Sequence, residues 1–179
     1  MTKIGLVSLG CSKNLIDSEV MLGYLTQSGY ELTNSPAEAE VLVVNTCGFI
    51  ESAKQESIDA ILEMAEYKSA GSCQTLVVTG CLSQRYGAEL QNELPEVDIF
   101  LGVNEYQKLP ALLNARHAPD MVLGPLMERR VLATPSHYAY LRIADCCDNR
   151  CSFCAIPLLR GPYQSCPMEV IFSEAEALG

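Results

Sequence analysis

The sequence is poor in basic residues and in histidine. It has 12 lysine and arginine residues against 22 aspartate and glutamate residues, two histidines, and a formal net charge of −10 at pH 7. Phosphate binding depends on lysine and arginine, so this balance argues against a broad nucleic-acid footprint. No run reaches the roughly 20 apolar residues that a transmembrane helix requires, and no secretory signal is recognisable at Met1. We therefore expect a cytoplasmic protein with no membrane association.

Cysteine, in contrast, is abundant, with nine residues in a chain of 179. A disulfide framework is typical of small secreted proteins, but the number here is odd and there is no export signal. In a reducing compartment, clustered cysteines more often bind metals or take part in chemistry. The cysteines are therefore the first candidates for a functional site.

Most of the chain alternates between strand and helix patterns. Apolar runs predict strands at Lys3–Ser8, Val41–Val44, Leu76–Val78 and Asp98–Leu101. Apolar residues at helical spacing predict helices over 15–25, 58–65, 86–94 and 106–113. Strands that alternate with helices favour an α/β fold with a parallel sheet. We assign residues 1–116 to this domain.

The pattern changes after about residue 115. Residues 117–136 contain several prolines and charges without a sustained period, and we interpret them as a linker. A strand at Tyr138–Ile143, a cysteine-rich loop and a helix at Met168–Leu178 then begin a second domain, 137–179. One strand–loop–helix unit cannot bury its own faces, so we expect this domain to be truncated in the chain.

Cys147, Cys151 and Cys154 form a C-x3-C-x2-C run in the predicted strand-to-helix loop. Three thiolates at this spacing can converge on one iron–sulfur cluster, with one iron left open for a substrate or cofactor. A zinc site usually needs four protein ligands, and no second cysteine pair or histidine pair follows. The run favours a cluster, and zinc or unliganded thiols are the alternatives.

A second group, Cys11, Cys47 and Cys81, is dispersed along the chain. Each follows a predicted parallel strand and adjoins a glycine. The carboxyl ends of parallel strands lie along one edge of a sheet, where binding crevices form, so these cysteines could meet in space. The alternative is that they are three buried small apolar residues.

The remaining cysteines receive no ligand role. Cys73 precedes a strand in a polar turn and is interpreted as incidental, and Cys166 as structural. Cys146 adjoins Cys147 and could compete with it, but the C-x3-C-x2-C spacing favours Cys147.

Two acidic residues of the first helix, Asp17 and Glu19, are interpreted as members of a solvated face or as partners of the helix dipole.

The cysteine motifs resemble those of a known family. The segment from Cys147 to Cys154, Cys-Asp-Asn-Arg-Cys-Ser-Phe-Cys, resembles the signature of the radical S-adenosylmethionine enzymes. The first segment, Ser8-Leu-Gly-Cys-Ser-Lys-Asn-Leu-Ile-Asp-Ser-Glu19, resembles the N-terminal motif of the methylthiotransferases within that group, and so do 45–50 and 79–82. The resemblance implies an N-terminal methylthiotransferase domain followed by the start of a radical S-adenosylmethionine partial α/β barrel.

Two segments favour one branch of the family. Ser8–Asn14 and His137–Arg142 resemble the RimO-type branch, which methylthiolates an aspartate of small-subunit ribosomal protein twelve. The tRNA-modifying branch typically opens with Tyr-Gly-Cys-Gln-Met-Asn, which is absent here. A tRNA methylthiotransferase and a non-catalytic iron–sulfur or zinc module remain the alternatives.

The resemblance also implies a cofactor set and a mechanism. Cys147, Cys151 and Cys154 would hold a [4Fe–4S] cluster that cleaves S-adenosylmethionine reductively, which makes them the catalytic and cofactor-binding residues. Cys11, Cys47 and Cys81 would hold a second [4Fe–4S] cluster that carries or donates sulfur. The partners would be the ribosomal protein substrate and a flavodoxin-like electron donor, without RNA binding by this segment.

The sequence departs from the family pattern at two positions. Cys146 stands where the family usually has glycine, and Cys166 where an arginine before proline is common. The first could perturb the cluster loop, and the second could weaken a contact near the cofactor. Because most of the barrel would follow this segment, we expect the chain to bind clusters without turnover.

Overall fold

The chain divides into two compact units. The computed structural model describes residues 1–117, 130–149 and 151–178. The units are Met1–Val131 and Leu132–Gly179. Their boundary falls inside the segment 117–136 that the sequence predicts as a linker, of which 118–129 lie outside the described residues. The predicted domain limits, 1–116 and 137–179, stay a prediction.

Unit 1 contains a five-stranded sheet in which every pairing is parallel. The strands lie in the order β2-β1-β3-β4-β5. Their residues are β1 Lys3–Ser8, β2 Glu31–Leu32, β3 Val41–Thr46, β4 Thr75–Gly80 and β5 Ile99–Phe100. Every residue of β3 and β4 is buried, as expected of inner strands that are covered on both faces. The α/β class with a parallel sheet is therefore confirmed.

Four helices cover the two faces of this sheet. They are α1 Ser12–Gln27, α2 Glu51–Ala70, α3 Cys81–Glu93 and α4 Leu109–His117, the last preceded by a 3-10 turn at Tyr106–Lys108. Neighbouring strand residues point to opposite faces. Val41 and Val43 pack with α1 and α4 in one core, and Leu42 and Val44 pack with α2 and α3 in the other. None of the described helices is long and apolar enough to span a bilayer.

Strand β2 Glu31–Leu32 was not predicted from the sequence, and several element boundaries in unit 1 differ from the prediction. The helix predicted at 86–94 begins at Cys81 and has a kink at Tyr86, whose φ of −122° and ψ of 17° are not helical. The predicted strand Asp98–Leu101 is reduced to Ile99–Phe100, which pair with Val77 and Val78. The start of α3 and the length of β5 depend on the elements that lie beside them in the fold. The local spacing of apolar residues does not show those neighbours.

The described residues of unit 2 form two strands of two residues each and two helices. Strand β6 Ala144–Asp145 pairs antiparallel with β7 Gln164–Ser165, and the helices are α5 Ile156–Arg160 and α6 Met168–Leu178. No residue of α6 is buried. The helix predicted at Met168–Leu178 is confirmed, and the described part of this unit contains no α/β barrel.

The strand predicted at Tyr138–Ile143 is wrong. Residues 138–143 have no strand assignment, and the nearest strand is the two-residue β6. Tyr138 and Ile143 are 47% and 61% exposed. An aromatic and β-branched run favours an extended backbone, but a strand also requires a partner to pair with. Among the described residues, no strand pairs with this segment.

Asp98 predicts a specific pH dependence for unit 1. Its carboxylate accepts hydrogen bonds from Lys68 Nζ at 2.7 Å and from the Leu76 amide at 2.8 Å, and Arg116 lies 3.6 Å away. Burial alone would raise the pKa of Asp98, but these donors outweigh it, and the pKa lies below the ordinary value of 3.8. The unfolded chain therefore binds the proton more tightly, so Asp98 contributes stability above pH 3.8 that is lost as the pH falls through its lowered pKa.

We expect Asp98→Asn to lower the free energy of unfolding by about 1 kcal/mol at neutral pH, since it weakens charge-assisted hydrogen bonds. The difference between variant and wild type should shrink as the pH falls below the ordinary aspartate value. Urea denaturation of wild type and variant at pH 7, and at a series of lower pH values, measures the difference in the free energy of unfolding and its change with pH. A difference that stays constant over this range would contradict the assignment.

Candidate metal centres

The carboxyl ends of β1, β3 and β4 each lead into a cysteine. Cys47 and Cys81 come directly after Thr46 and Gly80, and Cys11 lies three residues beyond Ser8. Because these strands are parallel neighbours, the three loops share one edge of the sheet. In the order 2-1-3-4-5, the connections run in opposite directions on either side of the β1–β3 pair, and ligand crevices form outside the strand ends at this switch point.

The three loops approach one another closely. A Cβ added at Gly10 would lie 2.8 Å from Cys47 Cβ and 3.1 Å from Cys47 Sγ. A Cβ at Gly48 would lie 2.9 Å from Leu82 Cα and 3.1 Å from the Cys81 carbonyl carbon. Real Cβ atoms essentially never approach other heavy atoms to less than 3.0 Å, as the shortest contact at each position would require, so glycine lets the cysteine loops pack together here.

The thiols of this edge differ in exposure: Cys11 is exposed, Cys47 is half-buried and Cys81 is buried. Three sulfur donors in glycine-lined loops fit an iron–sulfur cluster, which takes cysteine thiolates as ligands. Within the described residues, no three cysteine, histidine, aspartate or glutamate side chains are arranged to hold one metal ion. The ligand set stays a prediction.

A polar network lies beneath the cysteine loops, and sequence reasoning missed it. Asn14 Nδ2 donates to Leu9 O and Thr46 O, at 3.0 and 2.9 Å. Ser57 Oγ accepts from the Cys47 amide and donates to the Cys47 carbonyl, both at 3.0 Å. These side chains fix the backbone on either side of the cysteines. The sequence signal for Asn14 was the run of polar residues at the start of α1. A search for helical spacing of apolar residues does not use polar positions, so it missed this run.

Cys73 is part of the core and not of this site. It is 5% exposed and packs in the core with α2 and α3. Burial raises the pKa of the Cys73 thiol, partly offset by the Leu42 and Thr75 backbone and by Lys68. The sequence predicts that Cys73 precedes a strand, and it does lie just before β4, but its side chain is buried in the core and not exposed in the turn. A buried, protonated thiol packs as a small apolar residue.

In unit 2, the loop after β6 carries Cys147, Cys151 and Cys154. Cys147 and Cys154 are half-buried and Cys151 is exposed, and the Cys154 amide donates to Cys151 O at 3.0 Å. The loop is held by an ion pair between Arg160 Nη1 and Asp145 Oδ2 at 3.0 Å, in which the Arg160 side chain is 2% exposed. The local spacing allows the thiols to converge, and their role as ligands stays a prediction.

Cys146 has an unusual backbone conformation. Its φ is +64°, and it is the one described residue other than glycine with a positive φ. Side chains other than glycine adopt this left-handed conformation at a cost of about 1 kcal/mol. Glycine, which the resembling family usually has here, adopts it freely. The Cys146 thiol donates to Arg160 O at 2.7 Å, a contact that glycine could not make.

The interpretation of Asp17 and Glu19 as a solvated face is wrong. Asp17 is 4% exposed and Glu19 is 0% exposed. Glu19 Oε2 forms an ion pair with Arg130 Nη2 at 2.9 Å, and the Arg130 side chain is 6% exposed. The Val131 amide also donates to Glu19 O at 3.0 Å. A partner so distant in the sequence leaves no trace in the local pattern of α1.

Comparison with known proteins places the sheet domain in a family. The model of Uncharacterized protein family UPF0004 matches residues 3–102, which cover β1 to β5 and the three strand-end cysteines. The chain belongs to the UPF0004 family. Cys11, Cys47 and Cys81 therefore lie inside the matched region, and Cys147, Cys151 and Cys154 lie outside it.

Several similar proteins carry one name, Ribosomal protein uS12 methylthiotransferase RimO. The one from Pelobacter propionicus is 50% identical over 186 residues, covering 98% of this chain and 41% of the relative. The one from Clostridium tetani is 55% identical over 188 residues, with 99% and 42% covered. The RimO-type resemblance is thus confirmed, and the chain spans about two fifths of the length of these relatives.

Proposed function

We propose that the chain is part of a radical S-adenosylmethionine methylthiotransferase that modifies an aspartate of ribosomal protein uS12. The observation that carries the proposal is the meeting of the Cys11, Cys47 and Cys81 loops at the β1–β3 switch point. The similar proteins named for uS12 methylthiolation support the substrate. In this proposal the protein works in the cytoplasm with an electron donor of the flavodoxin type.

Each cysteine group would hold one [4Fe–4S] cluster. Inserting sulfur at an unactivated carbon is radical chemistry, which a cluster held by Cys147, Cys151 and Cys154 would supply together with S-adenosylmethionine. The residues of the chain hold and orient these groups. Asp145 and Arg160 anchor the loop of the second group, and Ser57 holds the Cys47 backbone in the first.

Anaerobic reconstitution with iron and sulfide tests the two-site assignment. Replacing Cys147, Cys151 and Cys154 with alanine should remove about half of the bound iron and acid-labile sulfide, because the two ligand sets lie in different units. Cys73→Ala, which changes a core thiol, should leave the iron content unchanged. Stoichiometric zinc without acid-labile sulfide would contradict both clusters, and loss of all iron with the fold retained would contradict their independence.

The substrate is tested with the full-length protein under reducing conditions. Mass spectrometry should find a methylthio group on an aspartate of uS12, formed with consumption of S-adenosylmethionine. The same assay with tRNA serves as the comparison. A methylthiolated tRNA base without modified uS12 would contradict the proposed substrate while leaving the chemistry intact.

Cys146 and Cys147 can be distinguished as ligands. We expect Cys146→Gly to retain the iron of the second group, because glycine adopts the positive φ of this position and the Cys146 thiol bonds Arg160 O. Cys147→Gly should lose the iron of the second group, which is about half of the total. Both are measured by iron content per chain in the reconstituted protein. Loss of iron in Cys146→Gly with full retention in Cys147→Gly would assign the ligand to Cys146.

A further inference from the structure

One side chain contacts all three cysteine loops at the edge of the sheet. Asn14 lies in the first turns of α1 and is 1% exposed. Its Nδ2 donates to Leu9 O in the Cys11 loop and to Thr46 O next to Cys47. Its Oδ1 accepts from Cys81 Sγ at 3.6 Å. A single amide therefore links loops whose positions in the sequence are far apart.

The chemistry of these contacts determines the orientation of the amide. Leu9 O and Thr46 O are carbonyl oxygens, which can only accept, so the two hydrogens of Nδ2 must face them. The Oδ1 atom is then left to face the Cys81 thiol, which donates in the metal-free chain, whereas a cluster ligand would be a thiolate without this proton. Only an amide offers two donors and an acceptor within this length. An aspartate would direct a carboxylate oxygen at two carbonyl oxygens, and leucine would offer no polar atom.

The backbone of Asn14 is held in turn by a second asparagine. Asn45 Nδ2 donates to Asn14 O at 2.8 Å and to Ser18 Oγ at 2.9 Å. Ser18 Oγ donates to Ser8 Oγ at 2.8 Å, at the end of β1. Asn14 and Asn45 are each 1% exposed. Satisfied polar groups inside a protein have strong, directional hydrogen bonds, so this network restricts Asn14 to one position.

We propose that Asn14 is a positioning residue that sets the relative placement of the Cys11, Cys47 and Cys81 loops and so prepares them to ligate one cluster. The inference rests on the proposed function for the metal, but the placement of the loops can be tested without it. Outer-shell groups that orient metal ligands typically change metal affinity by about 10- to 100-fold when they are replaced.

The first test uses the full chain with Cys147, Cys151 and Cys154 replaced by alanine, so that one site remains. After anaerobic reconstitution, iron is titrated out with a ferrous chelator. Asn14→Asp should release iron at about 10-fold lower chelator concentration than the parent chain. Asn114→Ala is the matched control, since Asn114 is also buried and accepts from Tyr30 Oη at 2.7 Å, outside the cysteine loops.

The second test needs no metal. In the metal-free chain, alkylation of Cys81 and Cys73 by iodoacetamide is followed by mass spectrometry, because the two thiols are 6% and 5% exposed. Asn14→Ala should raise the rate at Cys81 severalfold and leave Cys73 unchanged. General destabilisation would raise both alkylation rates together. Asn114→Ala, which removes a buried side chain outside the cysteine loops, measures the size of that common increase.

The outcomes separate this inference from the proposed function. If the parent chain holds no iron, the cluster assignment fails, and the ratio of Cys81 to Cys73 labelling still decides the role of Asn14. Equal acceleration at both thiols in Asn14→Ala would overturn the positioning role. Iron retention in Asn14→Asp equal to that of Asn114→Ala would overturn it as well.

Discussion

We expect Arg130→Met to lower the free energy of unfolding of unit 1 by about 3 kcal/mol or more. Glu19 is 0% exposed, and its Oε2 lies 2.9 Å from Arg130 Nη2. Removing one member of a buried ion pair leaves the other charge in a low-dielectric environment without that partner. Methionine is an unbranched apolar side chain similar in length to the arginine stem, so the loss reflects mainly the missing positive charge beside Glu19.

A second variant identifies the cause of this loss. Glu19→Leu combined with Arg130→Met removes both charges and should recover most of the stability, because a buried pair is often replaceable by apolar residues. Lys108→Gln breaks the exposed pair with Glu105 and should cost less than about 1 kcal/mol. Urea denaturation followed by circular dichroism measures all three. If the double variant is as unstable as Arg130→Met, the charge of Glu19 is not the cause.

Gly80→Ala has the second large expected effect. Gly80 has a φ of +97° and a ψ of −162°, a conformation that is essentially restricted to glycine. A Cβ there would overlap Asn45 Oδ1 and Thr46 O and would lie 2.7 Å from Thr46 N. The overlapped atoms are buried backbone and a hydrogen-bonded side chain, so they cannot move away at low cost. We expect a loss of about 3 kcal/mol or more in the free energy of unfolding.

The matched control for this substitution is Gly87→Ala. Gly87 lies within α3, and a Cβ there would meet no atom within 4 Å. Alanine is favoured over glycine inside a helix by about 1 kcal/mol, so this variant should be slightly more stable than wild type. Both variants replace glycine with alanine, and thermal unfolding should show a lower melting temperature for Gly80→Ala and a slightly higher one for Gly87→Ala. A Gly80→Ala chain as stable as wild type would contradict the close packing of the β3 and β4 ends.

The parallel sheet could be predicted because its inner strands are continuous apolar runs. The run Val41–Val44 corresponds to the strand Val41–Thr46, and Leu76–Val78 to Thr75–Gly80. Burial on both faces favours apolar residues along the middle of these strands, which makes them visible in the sequence. The run Tyr138–Ile143 has strand propensity as well, but the described residues provide no partner for it. Strand formation depends on that partner, which local propensity does not contain.

The polar residues of α1 could not be assigned from the sequence. Asp17 and Glu19 are charged side chains, which are mostly exposed in proteins, yet both are buried. Asn14 belongs to the polar run of α1, but its local sequence does not show which partners it has. Its role depends on Leu9, Thr46 and Cys81, which folding brings to one place. Polar contacts between distant segments follow from strand order, and that order is not a local property.

The sequence by itself determined the strand-and-helix alternation of unit 1, the spacing of Cys147, Cys151 and Cys154, and the placement of three cysteines after strands. These are local features, because periodicity and short spacings are set by neighbours in the chain. Only the tertiary structure decided the order β2-β1-β3-β4-β5, which puts Cys11 and Cys47 at a switch point. It also decided that Asn14 and Glu19 are buried, because burial of a polar group requires partners that only the folded chain supplies.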